Sequence, residues 1–126
     1  MAPDIIFTEN APKAIGPYSQ AVKANGFVYV SGQIPINPES GDLVKSGIQD
    51  EVHQVMKNLK AIVEKSGSSL SKVLKTTIYL KDMNDFDAVN KVYGEYFTEH
   101  KPARACVQVA KLPKDVSVEI DAVCIC

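Results

Sequence analysis

No apolar run in this chain approaches the length of a membrane span, and no charge of either sign dominates it. With 14 basic and 15 acidic residues the net charge is −1, so the electrostatic footprint expected of a nucleic-acid or anionic-membrane binder is missing. Cysteine is scarce. Cys106, Cys124 and Cys126 form no C-x-x-C, and no histidine lies near enough in sequence to complete a zinc site. An odd count with this spacing points to reduced thiols. A bridge between Cys124 and Cys126 would strain disulfide geometry, and both read as small buried side chains. The nucleotide-binding glycine patterns, G-x-S-x-G and H-E-x-x-H are also absent, which removes most support for nucleotide, hydrolase-triad and zinc-protease chemistry.

The amino-terminal stretch has no apolar core of a signal sequence, and Asp4 and Glu9 argue against an arginine-rich transit peptide. A soluble cytoplasmic protein is expected, with a mitochondrial pool left open. At 126 residues, 45% of them hydrophobic, residues 1–126 are expected to form one domain with an ordinary core.

What is present reads as alternating strands and helices. Asp4 to Thr8 is a short apolar strand, followed by the Pro- and Gly-marked loop "NAPKAIGPYSQ". Two β-rich runs then flank Asn25-Gly26, a pair that tolerates positive φ and predicts a type I′ hairpin. Ser31-Gly32 follows the strand Phe27 to Val30, and "IPINPESG" reads as loop. Between Gly47 and Lys65, Ile48, Val52, Val55, Met56, Leu59, Ile62 and Val63 recur at helical spacing, with Ser46 as the expected N-cap and Gly67 as the stop. Lys72 to Leu80 is a β-branched strand. A second helix is expected from about Asn84, its N-cap, to Phe97, with Phe86, Asn90 and Tyr93 on one stripe.

The last motif, "PARACVQVAKLPKDVSVEIDAV", raises the functional question. Period-two alternation points Arg104 and Cys106 out of one face of a strand, and Val116 to Val123 reads as an antiparallel return strand that would bring Glu119 near Arg104. A guanidinium on a sheet face is costly unless paired. Its partner is either Glu119 or Asp121 within the chain, or the carboxylate of a ligand held by a bidentate fork. Cys106 has no histidine base at hand and reads as a small apolar side chain, while His53 and His100 read as solvated. The pattern as a whole predicts an α+β fold with both helices on one face of a mixed sheet. Its uncovered face implies self-association.

The stretches "AIGPYSQAV", "VSGQIPINPESG", "KTTIYLKDMNDFDAVNKVYGEYF" and "PARACVQVAKLPKDVSVEIDAV" resemble the RidA (YjgF) family of reactive-intermediate deaminases across nearly the whole chain. The resemblance implies a chorismate-mutase-like fold with a six-stranded sheet, assembled as a homotrimer around a central barrel with sites between subunits. It implies Arg104 as the carboxylate-binding residue, Glu119 and Cys106 as its catalytic companions, and Tyr18, Ser31, Gly32 and Asn90 as the remaining lining of the cleft. The implied reaction is hydrolysis of 2-imino acids to 2-oxo acids and ammonia, without metal or organic cofactor. The segment "FTEHKPARAC" is shorter before Arg104 than the bacterial form and looks more like fungal members. Two other roles compete: a trimeric small-molecule binder or holdase that does no chemistry, and the ribonuclease or translation-inhibitor role described for family members, to which the charge balance gives little support.

Overall fold

The computed structural model describes residues 2–126. Six strands and two long helices follow one another as β1 (Asp4–Ile6), β2 (Ala21–Ala24), β3 (Phe27–Gln33), α1 (Ile48–Lys65), β4 (Val73–Leu80), α2 (Phe86–Tyr96), β5 (Ala103–Gln108) and β6 (Val118–Ile125). They form one mixed sheet in the order β1-β2-β3-β6-β4-β5, antiparallel except for the β4–β5 pair. Asn25 and Gly26 take φ of 53° and 80°, so the β2–β3 hairpin turns as its sequence predicts.

Both helices lie on one face of the sheet. The α1 stripe Val52, Val55, Met56, Leu59, Ile62 and Val63 is buried against Val28, Ile78, Ile120 and Cys124 of the strands. Each such side chain contributes about 1.5–3 kcal/mol by leaving water. Two buried polar residues fasten the loops to this layer. Asn58 Nδ2 donates to the Ile34 and Ile36 carbonyls, and Gln20 Nε2 donates to those of Thr8, Ala11 and Pro12. His53 is not simply solvated: its Nδ1 sits 2.8 Å from the Tyr96 hydroxyl and ties α1 to α2. His100 likewise meets the Val73 carbonyl at 2.6 Å through Nε2.

Several expectations are corrected. The return strand β6 does not pair with β5. It inserts between β3 and β4, because the segment after β5 crosses β4 through a short 3-10 turn at Pro113–Asp115. The helix starts also move. Gly47 rather than Ser46 is the N-cap of α1, with the Ser46 hydroxyl spent on Asp50, and α2 begins at Phe86 after a 3-10 turn that Asp82 caps by accepting from Asn84 N. Strand β3 runs on through Ser31-Gly32, where the pairing with β6 shifts register. Cys124 is buried as expected, but Cys126 is exposed.

The face away from the helices carries Phe27, Tyr29, Val107 and Ile125, which are 39–52% exposed. None of the described residues covers them. Among the described residues no helix is long and apolar enough to cross a membrane.

Candidate active site

Arg104 lies on the edge strand β5, on the helix side of the sheet. In the β4–β5 register it sits beside Thr76, whose hydroxyl is buried and bonded to the Tyr93 hydroxyl of α2 at 2.7 Å. Its guanidinium lies 5.6 Å from the Phe86 ring centroid and 5.2 Å from that of Tyr93, a cation–π contact with each. Nη1 donates to Asn90 Oδ1 at 2.6 Å. The helical spacing of Phe86, Asn90 and Tyr93 therefore builds one cradle, which orients the arginine without neutralising it. No carboxylate pairs with it: among the described residues the one ion pair is Lys81–Asp115. The free edge of the fork faces a cavity of about 460 Å³ bounded by Tyr93, Gly94, Phe97, Lys101 and Pro102.

Cys106, two residues on, shares this face and packs against the core. Burial pushes its thiol up from the ordinary value, and the Arg104 charge offsets part of that rise. A thiol held protonated is a poor nucleophile.

Glu119 stands on the other face. It is opposite Tyr79 on β4, three residues from Thr76, so the alternation of side chains sends it away from the helices. About 10 Å along the strands and two strand spacings of about 4.8 Å separate it from Arg104, with the sheet between them. The expected Arg104–Glu119 pairing within one chain is thus excluded, and Asp121, on the same face as Glu119, is excluded with it. Asp121 instead accepts from the Tyr79 hydroxyl at 3.0 Å. Desolvation, with a smaller contribution from Asp121, raises the Glu119 pKa above the ordinary carboxylate value.

Gly32 abuts this glutamate. A Cβ at residue 32 would lie 2.7 Å from Glu119 Cδ and 3.0 Å from Cγ, so the glycine is what leaves room for the carboxylate. Tyr18 lines a small pocket with Gly32 and Gln33, and the Ser31 hydroxyl donates to the Ser19 carbonyl at 2.6 Å, holding the Tyr18 loop against β3. The residues named from the sequence therefore fall into two groups: Asn90, Arg104 and Cys106 on one face, and Tyr18, Ser31, Gly32 and Glu119 about the other. Sequence reasoning missed the rings beneath Arg104, although both lay on the recognised stripe. It also missed Gln20, for which a lone amide in a loop gave no signal. Among the described residues no cluster of three His, Cys, Asp or Glu side chains could hold a metal.

Fold and divided site together define an α+β protein of the chorismate-mutase-like, YjgF type. The family model described as Endoribonuclease L-PSP matches residues 8–126. The chain belongs to that family. It is 59% identical to a RutC family protein of Pyrococcus horikoshii and 49% identical to the 2-iminobutanoate/2-iminopropanoate deaminase of Escherichia coli, each match covering 95% of both chains. The crystal structure of yeast Mmf1 superposes with a TM-score of 0.96 at 44% identity, covering 98% of each chain. With archaeal and bacterial relatives at these identities, the fungal leaning read from the loop before Arg104 has no support.

Proposed function

We propose that this protein hydrolyses 2-imino acids, in clefts between the subunits of a homotrimer. The observation that carries this reading is the division of the site. An unneutralised, pre-oriented arginine and a half-buried glutamate of raised pKa are useful to one substrate only if a second copy brings its Glu119 face to the first copy's Arg104. The uncovered apolar face and the unpaired edge of β5 supply surface for such an assembly. The deaminase named among the relatives supports the choice of reaction.

In this reading the Arg104 fork binds the substrate carboxylate in bidentate fashion. Glu119 of the adjacent copy takes a proton from a water as its oxygen bonds to the imine carbon. The C=N π electrons move to nitrogen, which is protonated, and the resulting carbinolamine expels ammonia to leave the 2-oxo acid. Backbone groups at Cys106 contact the nitrogen, while Tyr18 and Asn90 shape the pocket. Imines are electrophilic already, so positioning plus a general-base factor of about 10²–10⁴ suffices. Its raised pKa makes the ionised Glu119 a stronger base than an ordinary carboxylate. An RNA-cleaving role draws no support from a net charge of −1.

The test is release of ammonia and 2-oxo acid when 2-iminopropanoate and 2-iminobutanoate are generated in situ, for wild type, Arg104→Ala and Arg104→Lys of matched fold and oligomeric state. Wild type should accelerate release, the alanine variant should not, and the lysine variant should fall well below wild type because the fork is lost. No acceleration by well-folded wild type would defeat the proposal and leave a trimeric binder.

A further inference from the structure

The cavity beside Arg104 holds a second cation. Lys101 lines it together with Arg104, and no acidic side chain does. Neither cation is neutralised: Arg104 is held by the neutral amide of Asn90, and Lys101 Nζ donates only to the Thr98 carbonyl at 2.9 Å. The wall between them is open and apolar. Gly94 contributes no side chain, and a Cβ there would meet nothing within 4 Å. Phe97 and Pro102 complete that wall. Lys101 stands three residues before Arg104, just outside β5, so the two cationic side chains start no more than about 11 Å apart.

A small monocarboxylic imino acid would use the arginine and leave the lysine without an anion. We propose that the cleft accepts 2-imino acids bearing a second carboxylate, with Arg104 on the carboxylate beside the imine and Lys101 Nζ on the distal one. The flexible lysine stem exchanges the Thr98 carbonyl for the carboxylate, and the intervening methylenes lie along Phe97 and Pro102. The bonds made and broken are those given above: water adds across C=N and ammonia leaves, yielding a 2-oxo dicarboxylate. A reaction supplying this substrate would be the two-electron oxidation of an acidic amino acid to its imine. The inference rests on the reading of Arg104 as a carboxylate clamp.

The intact oligomer is titrated calorimetrically with two product-like probes, 2-oxobutanoate and 2-oxoglutarate, at low ionic strength. The same samples are assayed with imines generated in situ from alanine and from glutamate. Wild type is expected to bind 2-oxoglutarate about fivefold more tightly, the scale of one partly exposed ion pair. Lys101→Met should erase that preference while leaving 2-oxobutanoate within about twofold, and Lys101→Arg should keep it. With the glutamate-derived imine, Lys101→Met should raise KM and spare kcat, as loss of uniform binding does. Equal binding of the two acids by wild type, binding of neither, or a preference that survives in Lys101→Met overturns the proposal. Failure of wild type to turn over either imine, with the binding preference intact, would overturn the deaminase reading and leave the second carboxylate site standing.

Discussion

Substituting Gly32 by alanine adds one methyl group and tests whether the Glu119 carboxylate must stand where it does. The added Cβ would fall 2.7 Å from Glu119 Cδ and 3.0 Å from Cγ, against ordinary carbon contacts of about 3.5–4.0 Å. Residue 32 does not occupy the left-handed region, so the backbone accepts alanine and the clash is borne by the glutamate. The glutamate end is flexible and must swing away by about 1 Å, at an off-rotamer cost of about 0.5–1.5 kcal/mol. Stability should fall by no more than that. Activity should fall much further, because a misplacement of about 1 Å costs a catalytic group about 10²-fold. The assay pairs a thermal melt with kcat/KM for imine hydrolysis, and the prediction is a small shift in Tm with a loss of about 10²-fold. Full activity in a well-folded Gly32→Ala protein would refute the claim that the carboxylate is fixed by this packing.

Asn90→Ala removes the charge-assisted bond that orients Arg104, and KM should rise about tenfold while the melt barely moves; circular dichroism and initial rates decide it. Cys106→Ser should retain most activity, since the thiol is held protonated and no step uses it as a nucleophile; a loss of more than about 10²-fold would reinstate it. Gln20→Ala breaks the bonds that tie the Thr8–Pro12 segment to the residue preceding β2, and should cost about 2–3 kcal/mol in a denaturant titration. Burial raises the Glu51 pKa, with the Ser117 N–H opposing the rise. The folded state therefore holds that proton more tightly than the unfolded chain, so the stabilising contribution is present at low pH and lost as pH rises through the raised value. Glu51→Gln should accordingly raise Tm at pH 7, with the gain shrinking toward pH 4.

The local chemistry of this fold was legible in the sequence. Asn25-Gly26 announced its turn, the α1 stripe its helix, and the alternation Arg104, Cys106 their shared face, because each depends on residues within one or two turns of chain. Strand order did not follow from such patterns. Nothing in the alternation of Val118, Ile120 and Ala122 distinguishes a partner at β5 from partners at β3 and β4, yet that choice decides whether Arg104 meets Glu119 in one chain. Burial gave no help on β5 either, where an exposed edge strand leaves both faces accessible. The helix starts moved for a related reason: the Ser46 hydroxyl donates to Asp50 instead of capping, and Asp82 caps a 3-10 turn two residues ahead of Asn84 by accepting its backbone N–H. The cradle of Phe86, Asn90 and Tyr93 was visible as a stripe, but the cation it serves lies on another element.

The central claim is that Arg104 and Glu119 act on one substrate from different copies of the chain. Subunit mixing tests it most directly: Arg104→Ala and Glu119→Ala proteins, each inactive, are unfolded, combined in equal amounts and refolded together. In a trimer with one shared cleft per interface, every mixed assembly contains a single cleft with both native residues, so the mixture should recover about a quarter of wild-type activity. A mixture that forms hybrid trimers and remains as inactive as its parents would contradict the account.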